Sequence, residues 1–170
     1  MAKDYRFLVN GEWRESSKKI EVRNPYNNEV VGIVNLAIEK DLDDAVISSQ
    51  KAFDITRKLP VYKRAEILEN IATGLKSRKE EIARAITLEA GKPIKDSRIE
   101  VSRAINTFQI AKEEAKRIEG EVIPLDLMAG SENRLGIIRR FPIGTVFGVT
   151  PFNFPLNLVA HKVAPAIASG

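Results

Sequence analysis

The stretch Gly144–Gly170, GTVFGVTPFNFPLNLVAHKVAPAIASG, sets the fold class of this chain. Thr145-Val146-Phe147-Gly148-Val149 has the apolar, Val- and Gly-containing composition of a buried strand. A Pro-bracketed turn, Pro151-Phe152-Asn153-Phe154-Pro155, interrupts it. A second apolar segment then runs at helical spacing through Leu156, Val159, Val163 and Ile167. Open α/β sheets place their ligands where such a strand gives way to a helix. The polar side chain within the turn is Asn153. A buried amide there is either a loop staple or a hydrogen-bond donor aimed at a substrate.

Composition narrows the function classes. With 170 residues, 44% hydrophobic and 29% charged, the chain suits a globular domain with a sizeable core. The net charge of +4 comes from interleaved acids and bases, which describes a solvated surface and not a nucleic-acid face. There is no cysteine and a single histidine, so disulfides, thiol nucleophiles and thiolate metal sites within these residues are excluded, and no metal site is expected. No apolar run has the length of a signal peptide or membrane span, which predicts a cytoplasmic protein with no membrane partner.

Upstream of the opening stretch, Tyr5–Arg14 alternates around Asn10-Gly11, a hairpin signal. A second extended pair surrounds Asn24–Asn28, and the two hairpins predict a small antiparallel sheet. The following residues read as helices. Asp41 is placed to cap the first, whose apolar face runs through Leu42, Val46 and Phe53. Pro60 suits the start of the second, with Ala65, Leu68, Ile71, Ala72 and Leu75 inward. The third spans about Lys79 to Ala90 and closes at Gly91; the fourth runs from about Ile94 to Ile118. Val122–Pro124 then reads as a short exposed edge and Arg134–Arg140 as a strand. No helix shows chemistry in its own residues.

Each motif carries a structural alternative. Gly144 and Gly148 fit neither nucleotide-binding glycine pattern and read as close-packing positions. Asn153 would either staple its own turn or supply an amide donor worth about 3 kcal/mol where oxygen charge develops. His161 and Lys162 read as partner-satisfied or outward-facing residues. Glu89 reads as a helix-end carboxylate, and Lys112–Arg117 as a solvated face with pairs such as Glu113–Arg117.

Taken in order, these landmarks resemble the N-terminal portion of the aldehyde dehydrogenase superfamily. Asn10-Gly11-Glu12-Trp13 and Asn24-Pro25-Tyr26 are similar to its opening hairpins. Leu88–Pro93 resembles its E-x-G-K-P turn, Gly120–Pro124 its G-E-x-x-P edge, and Arg140–Gly144 the approach to its first nucleotide-domain strand. Pro151–Leu156 and Lys162–Gly170 resemble its signature turn and helix. Phe152 stands where many members have Trp, a form closer to the branch acting on lactaldehyde, succinic semialdehyde or glyceraldehyde 3-phosphate.

The resemblance implies an α/β fold made of small antiparallel hairpins, a helical layer, and the first strand and helix of a Rossmann-like parallel sheet. It implies three divisions: residues 1–120 as part of an NAD(P)-binding domain, 121–142 as an extended segment of an oligomerisation sheet, and 143–170 as the start of the Rossmann-like sheet. It also implies Asn153 as a catalytic oxyanion donor, and Thr150, Pro151 and Phe152 around the nicotinamide of NAD or NADP. The expected partners are a small aldehyde and further copies of the chain, as a dimer or tetramer. The family's nucleophilic Cys and general-base Glu lie downstream of the matched region. The chain is accordingly expected to be an N-terminal fragment, inactive alone. A non-catalytic module pairing with a separate chain is the alternative, and a dinucleotide-binding protein without catalysis a third reading.

Overall fold

The computed structural model describes residues 3–170. Strands β2 (Phe7–Val9) and β3 (Glu12–Arg14) close on Asn10 and Gly11, whose φ values of 54° and 78° are those a two-residue hairpin turn requires. Strands β4 (Lys19–Arg23) and β5 (Val30–Asn35) form the second hairpin. The Asn24 side-chain oxygen accepts from Tyr26 N–H at 3.0 Å, which shapes that turn. The hairpins do not merge into one antiparallel sheet. β1 (Lys3–Tyr5) pairs parallel to β5, giving the order β1-β5-β4, and β2-β3 stands apart as a ribbon. Asn35, 3% exposed, draws β1 into place: it donates to Asp4 Oδ1 at 2.6 Å and Tyr5 O at 3.0 Å.

Helix α1 spans Glu39–Thr56. Asp41 lies inside its first turn instead of capping it, and reaches back to accept Ile38 N–H at 3.0 Å. That bond, followed by the neighbouring Arg14 guanidinium, holds the Asp41 carboxyl below its ordinary range. Arg14 donates to Asp41 at 3.0 Å and Asp44 at 2.7 Å, so the two acids tie the first ribbon to α1. The apolar face expected on α1 stays open: none of its residues is buried, and Leu42 and Val46 are exposed.

The core lies among α2 (Val61–Ser77), α3 (Lys79–Ala90), α4 (Ile94–Ala115) and α5 (Asn157–Ser169). α4 supplies its spine. Val101, Ala104, Ile105, Phe108 and Ala111 join Leu68 and Ala72 of α2, Ala83 and Ile86 of α3, and Ala160, Ala164 and Ala168 of α5. Because α4 ends at Ala115, the expected Glu113–Arg117 pair does not form. Glu113 pairs with Lys112 and Lys116, Arg117 with Glu114, and Lys112 also reaches Glu69 on α2 at 2.6 Å.

Three expectations for the C-terminal part are corrected. Thr145–Val149 forms no strand and is exposed, with Phe147 82% accessible. A strand exists through a neighbour's backbone, and the described residues place no second strand beside this one. On α5 the buried face is Asn157, Ala160, Ala164 and Ala168, while Val159 and Val163 face outward. Alanines let α5 approach α4 closely, and the larger side chains are left on its open side. Finally, the strand expected over Arg134–Arg140 is shorter, β7 (Leu135–Ile138), and it pairs antiparallel with the short exposed edge β6 (Glu121–Pro124).

Arg98 forks onto Glu80 at 2.9 and 2.7 Å, joining α4 to α3, with Arg84 at 3.4 Å. Arg98 foremost lowers the Glu80 carboxyl from 4.5 to about 2. A depressed folded value means the pairing favours the fold above pH 4.5, and its contribution is lost as pH falls toward 2. In a carboxyl-carbon NMR titration, Arg98→Ala is expected to move the Glu80 midpoint back up toward 4.5.

Candidate active-site turn

Gly91, at φ 66°, closes α3, and Pro93 precedes the first residue of α4, so Lys92 is pinned at a helix–helix joint. A side chain at Gly91 would also collide with Pro25, 2.8 Å from where its Cβ would stand. From this joint the Lys92 ammonium reaches the Glu100 carboxylate, the main-chain carbonyl of Asn153 at 3.1 Å, and the Phe154 ring, 4.1 Å from its centre.

Glu100 is 1% exposed, near the N-terminal end of the buried stripe of α4. While Oε2 takes Lys92, Oε1 accepts the N–H groups of Leu156 at 2.9 Å and Asn157 at 3.2 Å. Those groups open α5, which has no side-chain cap of its own. A carboxylate there satisfies orphaned donors and meets the positive end of the helix. One buried ion pair therefore holds the turn at Asn153 and again at Leu156–Asn157.

Thr150, Pro151, Phe152 and Asn153 are consecutive and all exposed, Phe152 at 90%. The Asn153 amide is thus not buried as expected. The structural stapling of this turn is performed by Lys92 and Glu100, and the hydrogen bond at Asn153 uses its carbonyl, leaving the amide facing solvent. Chemically, the turn presents an exposed amide donor, on a main chain held by Lys92, next in sequence to Pro151 and Phe152. His161 and Lys162 lie on the outer side of α5. Glu89 keeps its place at the end of α3, where crowding by neighbours raises its carboxyl although it still meets solvent.

Glu100 went unread in the sequence. The signal was there: a carboxylate at a core-facing position, in register with Ser97, Val101 and Ala104. An apolar cavity of about 340 Å³, lined by Phe53, Leu59, Arg64, Val146 and Ile167, lies toward the far end of α5 and includes none of Thr150–Asn153. Among the described residues, no group of three or more His, Cys, Asp or Glu is arranged to hold a metal ion, and no helix is long and apolar enough to cross a membrane.

A family model, "Aldehyde dehydrogenase family", matches residues 13–170. The chain belongs to the aldehyde dehydrogenase family. It is 44% identical over 168 residues to a 3-sulfolactaldehyde dehydrogenase of Priestia aryabhattai, covering 99% of this chain and 35% of that one. A crystal structure of aldehyde dehydrogenase 21 from Physcomitrella patens, in complex with the reaction product succinate, superposes with a TM-score of 0.97 at 47% identity, covering 100% of this chain and 36% of that one. The NADP-dependent glyceraldehyde-3-phosphate dehydrogenase of Bacillus halodurans, complexed with NADP, gives a TM-score of 0.93 at 32% identity, covering 98% and 36%. The chain thus spans about a third of the length of these relatives. The mixed α/β fold of the described residues, with five helices and small sheets, is that of the N-terminal part of an aldehyde dehydrogenase.

Removing Glu100 would strand a mostly buried ammonium and uncap α5. Glu100→Ala is expected to destabilise the fold by about 3–5 kcal/mol, measured by urea denaturation.

Proposed function

We propose that these residues form the N-terminal part of an NAD(P)-dependent aldehyde dehydrogenase that oxidises a small aldehyde to its carboxylic acid, with Asn153 as a catalytic hydrogen-bond donor. The observation that carries this reading is the exposed Asn153 amide on a turn clamped through its main chain by Lys92 and Glu100. A preorganised donor stabilises an oxygen that gains negative charge without reorganising as the charge develops. Attack of a nucleophile on an aldehyde carbonyl generates such an oxygen. The chain contains no cysteine, so residues 1–170 supply the donor but not a thiol nucleophile.

Thr150, Pro151 and Phe152 would line the site for the nicotinamide of NAD or NADP, which accepts hydride when bound. Their exposure beside Asn153 suits a planar ring: the Pro151 and Phe152 surfaces offer it an apolar wall, and the Thr150 hydroxyl a polar edge. The names of the relatives point to small aldehydes, several carrying an anionic group. By analogy the substrate is of the lactaldehyde, succinic semialdehyde or glyceraldehyde 3-phosphate type.

On this reading residues 1–120 belong to the NAD(P)-binding domain, 121–142 contribute to an oligomerisation sheet, and 143–170 begin a Rossmann-like sheet. The β6–β7 ribbon exposes Val122, Leu135 and Ile137, which supports assembly as a homodimer or homotetramer. The composition supports a cytoplasmic location. A second reading, a non-catalytic module that pairs with a separate chain, draws on the exposed Val146, Phe147 and Val149. Purification of the 170-residue chain separates the two: that reading requires a different chain that co-purifies with it.

In the complete enzyme carrying these residues, Asn153→Ala is expected to lower kcat about 100-fold or more with the fold retained by circular dichroism. An unchanged kcat would remove Asn153 from the mechanism.

A further inference from the structure

We infer that Lys92 is a positioning residue for the reaction, setting the Asn153 amide through the main chain while its ion pair with Glu100 anchors the turn to the core. The inference rests on the role proposed for Asn153 and adds the residue on which that role depends.

A donor serves a transition state only when held close to its productive position, within about 0.5 Å. Nothing in the regular structure before Asn153 does this: from Arg139 to Phe154 the chain forms neither helix nor strand. Leu158 N–H donates to the Phe154 carbonyl at 3.1 Å, and the hydrogen bond on Asn153 itself comes from Lys92. Its ammonium holds the carbonyl of Asn153 at 3.1 Å and lies against the ring of the next residue, Phe154, at 4.1 Å. One ammonium thus holds the peptide linking these residues at its carbonyl and at the following ring, and the Asn153 side chain projects from the Cα at its edge. Lys92 is itself fixed by Glu100, whose other oxygen fixes the start of α5 at Leu156 and Asn157.

A purely structural ion pair would need only the contact between Lys92 and Glu100. The additional contacts to Asn153 and Phe154 fit a compact ammonium with rotatable donors; the longer, planar fork of an arginine would place its donors and charge differently from the same joint. Arginine in place of Lys92 would keep the charge beside Glu100 yet lose the carbonyl geometry, which separates stability from positioning.

The test is a double-mutant cycle in the complete enzyme carrying these residues. Lys92→Met is expected to lower kcat about tenfold to a hundredfold, with the KM for aldehyde little changed. On an Asn153→Ala background the same substitution should cost almost nothing further, because the group it positions is gone. Lys92→Arg should retain the stability of the unaltered enzyme while recovering only part of kcat. An unaltered kcat in Lys92→Met, or an equal loss in both backgrounds, overturns the inference. If Asn153→Ala alone leaves kcat unchanged, the oxyanion role falls, and amide exchange then decides the positioning claim. Lys92→Met must speed exchange at Leu156 and Asn157, the N–H groups held by Glu100, about tenfold relative to the centre of α4, and equal rates overturn it.

Discussion

A carboxylate buried as deeply as that of Glu100 is tolerated only when its lone pairs are filled, because an unpaired charge in a packed core costs several kcal/mol. Its partners come from separate parts of the chain: the ammonium of Lys92 from the α3–α4 joint, and two N–H groups from the start of α5. Meeting that requirement fixes where α5 begins relative to α4, and with it the turn before α5. The placement of Asn153 is thus a consequence of solvating one buried acid.

The packing around this clamp favours small residues where helices must meet. Ala160, Ala164 and Ala168 give α5 a flat face against α4, and the first contacts on that face lie beside Glu100. Val159 and Val163 are left on the open side of α5, and Phe147 and Val149 of the preceding segment are exposed as well. Apolar burial and the buried ion pair therefore act at the same interface, one supplying adhesion and the other register. The N-terminal hairpins are attached differently, through polar links such as Arg14 to Asp41 and Asp44.

Much of the architecture was legible because it is dictated locally. Asn10-Gly11 demands positive φ at two successive residues, and Gly91 demands it once at a helix end; both appear where the residues require them. The apolar stripes of α2 and α4 were readable for the same reason: a repeat at helical spacing leaves one choice of buried face. The α5 stripe misled because two faces of that helix are apolar, and spacing cannot say which one meets α4. Thr145–Val149 misled because strand composition describes a segment ready to pair, while a ladder depends on a neighbour.

The sequence by itself determined the hairpin turns, the end of α3 at Gly91, the family and the turn that carries Asn153, since these rest on backbone preferences and on motifs of consecutive residues. Only the tertiary structure decided how that turn is held. Asn153 lies 61 residues beyond Lys92, Lys92 and Glu100 sit on different elements, and each has an ordinary local reading as a turn lysine, a helical glutamate or a loop amide. Their joint role arises from low dielectric: once Glu100 is buried, its charge has to be answered by whichever donors the fold brings within reach, and those donors position the turn.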